Sequence, residues 1–160
     1  MKTNKTNAAR LLDKAGIHYK LISYKVNESD LSAVHVAGQL GEPVEQVFKT
    51  LVLKGDKSGY FVCIIPGNTE VNLKLAAKIS SNKNCAMIAM KDLLPVTGYI
   101  RGACSPVGMK KLFPSYIHSS CINYPTIYIS AGQRGLQIQI DPNELIPQIK
   151  AIVANLVGEY

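Results

Sequence analysis

Three places in this sequence carry residue types and spacings that could do chemistry. Lys49 stands in the middle of Val47-Phe48-Lys49-Thr50-Leu51-Val52-Leu53, a run otherwise dominated by branched and aromatic apolar side chains. Strand alternation puts it on the face of Val47, Leu51 and Leu53, the side expected to meet the core. An ammonium there must be paired or must line a pocket. The competing reading is an edge-strand lysine whose stem snorkels to water and blunts aggregation. The second place is Gly102-Ala103-Cys104-Ser105-Pro106-Val107-Gly108, preceded by Thr97-Gly98-Tyr99-Ile100-Arg101. Its glycines and proline turn the backbone tightly and let it approach a ligand. It is neither a Walker A loop nor a nucleophile elbow, since no GK[ST] follows and Ala103 and Val107 flank Ser105. Arg101, Lys110 and Lys111 beside it suit phosphate contacts. The third is Ser130-Ala131-Gly132-Gln133-Arg134-Gly135, where turn N–H groups and Arg134 could meet an anion, or where a plain hairpin turn suffices.

Metal chemistry finds no support. Cys63, Cys85, Cys104 and Cys121 form no CxxC pair, and His18, His35 and His118 stand apart from one another and from any carboxylate pair. The expectation is therefore no metal and no cofactor.

The elements that must position these residues are legible as patterns. Thr6 or Asn7 can cap a helix through Ala8, Leu11 and Leu12 that Gly16 ends. Ile17 to Tyr24 reads as a strand. Asp30 or Ser32 opens a short helix closed by Gly41, and strands follow at 47–53 and 60–65 around a Gly55-Asp56-Lys57-Ser58-Gly59 turn. Asn72 caps a helix to Ile79. A short strand is expected at 86–90, a helical turn at 91–94, and strands at 115–118, 126–130 and 136–140. Asp141, Pro142 and Glu144 then occupy N-cap, N1 and N3 of a closing helix expected to run through Ile149, Ile152 and Leu156. Helices interspersed among roughly seven strands give a mixed α/β (α+β) domain around one sheet, partly closed, with residues 1–160 as a single unit.

The 160 residues carry a net charge of +7 with 47% hydrophobic content, which excludes intrinsic disorder. The longest apolar run, Tyr60 to Pro66, falls far short of the roughly 20 residues of a membrane span. No signal-peptide pattern opens the chain, so a cytoplasmic protein without membrane contact is expected. Positive charge gathers in two zones: Lys2, Lys5, Arg10, Lys14 and Lys20 against Asp13, and Arg101, Lys110 and Lys111 without an acid between 101 and 118. Such zones suit a polyanionic partner.

Four ordered motifs, Lys5-Thr6-Asn7-Ala8-Ala9-Arg10-Leu11-Leu12, Val47-Phe48-Lys49-Thr50-Leu51, Thr97-Gly98-Tyr99 leading into Gly102-x-x-Ser105-Pro106-x-Gly108, and Ile127-Tyr128-Ile129-Ser130-x-Gly132-x-Arg134-Gly135-Leu136, resemble the YbaK-type aminoacyl-tRNA deacylases. The N-terminal stretch is most similar to the Cys-tRNA(Pro) branch. The resemblance implies a central mixed, barrel-like β-sheet flanked by helices. It implies trans-editing: hydrolysis of the ester joining cysteine to tRNA(Pro), and of Cys-tRNA(Cys) as a second substrate. The reaction becomes lyase-like if the substrate thiol attacks its own ester. Prolyl-tRNA synthetase is the implied protein partner. Lys49 and Gly102 fall on the implied catalytic positions, and Tyr24, Ser105, Pro106, Gly108, Ser130 and Gly132 on the substrate pocket. Arg101, Lys110, Lys111 and Arg134 suit tRNA phosphates. Alternative readings are editing of another residue, such as Ala-tRNA(Pro), or a non-catalytic tRNA- or synthetase-binding module. The chain departs from the pattern at Ala103, Ala131 and Gln133, and at Gln137, where some relatives carry a carboxylate.

Overall fold

The computed structural model describes residues 5–158; the first and last residues of the 1–160 unit and Lys2 of the first basic zone lie outside that range. Helix α1 (Asn7–Lys14) starts where Thr6 accepts a hydrogen bond from the Ala9 N–H, and it buries Ala8, Ala9 and Leu12. Strand β1 (Tyr19–Ser23) follows. Helix α2 (Ala33–Leu40) is capped by Ser32 rather than Asp30, and Gly41 closes it in the left-handed region.

Strands β2 (Phe48–Gly55) and β3 (Gly59–Pro66) form one antiparallel hairpin paired along its whole length. Asn82 holds its turn, its Oδ1 accepting from the N–H groups of Lys57 and Ser58. Helix α3 (Leu73–Ile79) starts at the Asn72 cap, as the sequence indicated. Strand β4 is Cys85–Met87 and ends before Met90, which already begins helix α4 (Met90–Thr97). Strands β5 (Ser115–His118), β6 (Ile127–Ser130) and β7 (Leu136–Ile140) agree with expectation to within a residue.

The closing helix is a correction. Helix α5 (Pro142–Gln148) has the expected Asp141 cap and Pro142 at its start but stops at Gln148. The backbone of Lys150 takes a positive φ of 54°, and Ile152–Ala154 becomes strand β8. Pairing of β8 with β5, in parallel register, outweighs the helical spacing of Ile149, Ile152 and Leu156. That raises the strands among the described residues to eight.

The strands form two sheets, ordered β1-β7-β6 and β4-β2-β3-β5-β8, where the sequence indicated one. Among the described residues a single parallel bridge, Val47 to Tyr128, joins them, and the sheets do not close, so barrel-like describes the layout only loosely. Their inner faces pack on each other through Phe48, Val52, Val62, Ile64, Ile129, Leu136 and Ile138. The other face of the larger sheet buries Leu53, Phe61, Cys63 and Ile65 against Ala76 of α3. Val36 and Ala37 of α2 cover Val47 and Tyr128 at the junction of the sheets. Among the described residues no helix is long and apolar enough to cross a membrane.

Candidate active site

The junction of the two sheets leaves a gap. On the edge away from β3, strand β2 is paired with β4 only at residues 53–55 and bridged to β6 only at Val47. Across that edge the Val52 C=O accepts from the Ile88 N–H. Strand periodicity then turns the N–H and C=O of Thr50 toward the same gap. The gap opens into a cavity of about 480 Å³, walled by residues 48–52, the first turn of α2 and the 101–104 loop.

Side-chain direction gathers polar groups there. Two residues beyond the Val47–Tyr128 bridge come Lys49 on β2 and Ser130 on β6, and Ser130 pairs directly with Gln137 on β7. Alternation puts all three on the face that α2 covers, in a row across neighbouring strands, and all three line the cavity. The expectation that Lys49 faces a core is met in a modified way. Both faces of β2 are covered, and the larger core takes Phe48 and Val52 on the opposite side.

Lys49 is half-buried. Desolvation holds its pKa below the ordinary lysine range, while the more distant Glu70 carboxylate pulls the other way. Among the described residues the one ion pair joins Lys5 to Asp13 in the N-terminal region. The ammonium therefore enters the cavity without a carboxylate held against it.

The loop and the hairpin brace each other. Ser130 Oγ donates to the Ala103 C=O (3.0 Å) and accepts from the Gly132 N–H (3.1 Å). Arg134 Nε donates to the Arg101 C=O (3.0 Å). Gly102 sits at φ +83°, and a Cβ there would stand 3.2 Å from the Leu31 side chain. Only glycine adopts that backbone conformation readily while keeping the loop close to the cavity. Arg101, Gly102 and Ser130 line the cavity, whereas Gly132 packs beside the Tyr99 ring and Arg134 ties the loop from outside.

The remaining sequence candidates lie elsewhere. Ser105 is fully buried, with Oγ accepting from the Val107 N–H. Pro106, Gly108 and Lys111 line a separate hollow of about 190 Å³ beside Leu11 and Phe113. Tyr24 packs with Val36, Val47 and Tyr128, behind one wall of the cavity. Lys110 Nζ donates to the Pro95 C=O, and Lys111 rests over the Phe113 ring, 5.3 Å from its centroid. One cavity residue escaped the sequence reading as a functional group, and another entered it only as a departure from the family pattern. Cys104 reads as one more loop cysteine, and burial pushes its thiol up to about 12, which keeps it from acting as a thiolate. Gln137, marked in the sequence only as the place where some relatives carry a carboxylate, is 5% exposed and its Oε1 has no hydrogen-bond partner.

The arrangement offers a mobile-stemmed cation, a glycine-set loop backbone and an open strand edge around one small chamber. No cysteine or serine in it is activated as a nucleophile. Residues 28–147 match the family model of the aminoacyl-tRNA editing domain. The chain is 46% identical over 142 residues to EbsC of Enterococcus faecalis, a candidate Cys-tRNA(Pro)/Cys-tRNA(Cys) deacylase, covering 89% of this chain and 87% of that protein. It is 25% identical over 130 residues to a proline–tRNA ligase of Fervidobacterium nodosum, covering 80% of this chain and 22% of the ligase. A solved structure of a candidate trans-editing enzyme for prolyl-tRNA synthetase superposes with a TM-score of 0.83. That match covers 98% of this chain and all of the other at 24% identity, a likeness of fold.

Proposed function

The chain belongs to the aminoacyl-tRNA editing domain family, and on that premise we propose that it is a trans-editing deacylase that frees cysteine from mischarged Cys-tRNA(Pro), with Cys-tRNA(Cys) as a second substrate. The observation that carries this reading is Lys49, a lysine without a carboxylate partner that lines the inter-sheet cavity together with Gly102. Aminoacyl-tRNA ends in a phosphate, a ribose and an ester, all rich in acceptor oxygens. Lys49 binds a ribose or terminal phosphate oxygen as a compact point charge. The N–H groups of Gly102 and Thr50 face the ester oxygen, where charge develops during acyl transfer; a donor so placed contributes roughly 10²- to 10³-fold. Arg101 at the rim receives the phosphate backbone.

The nucleophile comes from the substrate. The cysteine thiolate attacks its own carbonyl carbon, a C–S bond forms, the C–O bond to the ribose breaks, and the ribose oxygen takes a proton. The four-membered thiolactone that leaves is opened by water. This closure is strained, so the enzyme contributes by holding the bent conformer, a positioning effect. Prolyl-tRNA synthetase supplies the mischarged tRNA in this scheme, and adding it to the assay should sharpen selectivity for tRNA(Pro). The test is release of amino acid from Cys-, Ala-, Ser- and Pro-tRNA(Pro) by purified protein beside its Lys49→Ala variant. Cysteine should be freed fastest and only by the wild type. Release of alanine alone would assign the domain to Ala-tRNA(Pro), and binding of tRNA without release of any residue would make it a binding module.

A further inference from the structure

The least expected group in the cavity is the amide of Gln137. It lies on β7 between the backbone partners Ile22 and Ser130, is nineteen-twentieths buried, and lines the chamber with Lys49, Ser130 and Gly102. Its Oε1 accepts no hydrogen bond. An orphaned buried acceptor is destabilising unless a ligand satisfies it. In this rotamer Oε1 is closed off from the chamber, and a half-turn about the last side-chain torsion, which is soft in glutamine, exchanges the two ends of the amide. Either end can therefore be offered to the chamber.

The rest of the lining tells which ligand group needs it. Lys49, Arg101 and loop N–H groups are donors. The Ser130 hydroxyl is already engaged with Ala103 and Gly132, and Asp30, the lining carboxylate, is exposed and accepts from the Ser32 N–H. An aminoacyl ester is mostly acceptors, and its strongest donor is the α-ammonium. We propose that Gln137 Oε1 receives the α-ammonium of the esterified amino acid, so that the site selects aminoacyl over N-blocked esters. This rests on the editing reading above and names the contact that orients the acyl group. The open Thr50 C=O supplies a second acceptor for the same ammonium.

The experiment is a cycle of wild type and Gln137→Leu against Cys-tRNA(Pro) and N-acetyl-Cys-tRNA(Pro), which keeps thiol and ester. Wild type should prefer the free amine by about 10- to 100-fold in kcat/KM, the range of a charge-assisted hydrogen bond. Gln137→Leu, nearly equal in volume, should lose that preference by slowing only the free-amine substrate. Gln137→Glu should restore it. Equal slowing of both substrates, or an unchanged preference, overturns the assignment while deacylation stands. Titration with 3′-deoxy-3′-(alanylamino)adenosine and its N-acetyl form reads the contact as a Kd difference without turnover. A turnover-dead wild type would thus count against the editing reading alone. Equal Kd for both forms in wild type overturns the Gln137 contact.

Discussion

On the proposed reading, Lys49→Ala removes an ammonium that binds and orients the substrate rather than packing the core. Deacylation should fall at least a hundredfold, while the circular dichroism spectrum and melting temperature stay close to wild type. Lys49→Arg should also fail, because a planar fork does not replace a point charge in a fitted chamber. Burial favours the neutral amine, so the protonated form that grips oxygen is lost at lower pH than in an ordinary lysine. The enzyme-catalysed rate, corrected for spontaneous ester hydrolysis, should therefore decline on the alkaline side before the ordinary lysine range; a flat profile through that range would contradict the role. Ser105 gives the converse case. Fully buried and accepting from Val107, it braces the loop, so Ser105→Ala should keep most turnover and lose about 1 kcal/mol of stability in urea titrations. Lys49 was legible in the sequence because a charge inside an apolar strand violates alternation. Gln137 was legible only as a departure from the family pattern, since a neutral amide between Leu136 and Ile138 is what a half-solvated strand looks like, and its burial comes from the tertiary fold.

Local chemistry fixed the starts of elements better than their ends. The Ser32 and Asn72 caps, Gly41 and the Asp141-Pro142 start act within a few residues and stood in the sequence plainly. The end of α5 depended on β5, far away in the chain, which recruits Ile152–Ala154 as a parallel neighbour. The same distance effect split the sheets, because pairing partners are not written in strand periodicity. The β8 region carries a pH-dependent fastening. His118 Nδ1 accepts from the Leu156 N–H, and burial pulls the imidazole below its ordinary value. A lowered folded-state pKa gives stability that is complete above the unfolded value of about 6.5 and lost as pH falls through the folded one. Urea midpoints should drop more steeply below pH 6.5 in wild type than in His118→Asn, whose amide oxygen accepts without titrating. Parallel curves would remove His118 from this role. Gly108 tests the second hollow: at φ +83°, with a new Cβ 2.8 Å from Tyr99 Oη, Gly108→Ala should cost about 1–3 kcal/mol and several degrees of melting temperature.

Across the whole molecule, positive charge and the inter-sheet cavity meet at Arg101, while several other basic groups are partly engaged within the protein: Lys5 with Asp13, Lys110 with the Pro95 carbonyl, Lys111 with the Phe113 ring. Binding of tRNA should weaken with a linear dependence of log K on log salt, and Arg101→Ala should lower that slope by about one while changing KM more than kcat. An unchanged slope would place the phosphate path elsewhere. The family, the mixed architecture and Lys49 were legible in ordered motifs. How the motifs converge was not, because the cavity exists only where two sheets fail to pair. The central claim is that this cavity orients a cysteinyl ester so that its own thiol cleaves it. The most direct measurement is the initial rate of amino-acid release from Cys-tRNA(Pro), S-methyl-Cys-tRNA(Pro) and Ala-tRNA(Pro) at equal enzyme. The account predicts release of cysteine faster than the other two by about a hundredfold or more, a barrier difference of about 3 kcal/mol. Release of S-methylcysteine or alanine as fast as cysteine would contradict it and make water the nucleophile.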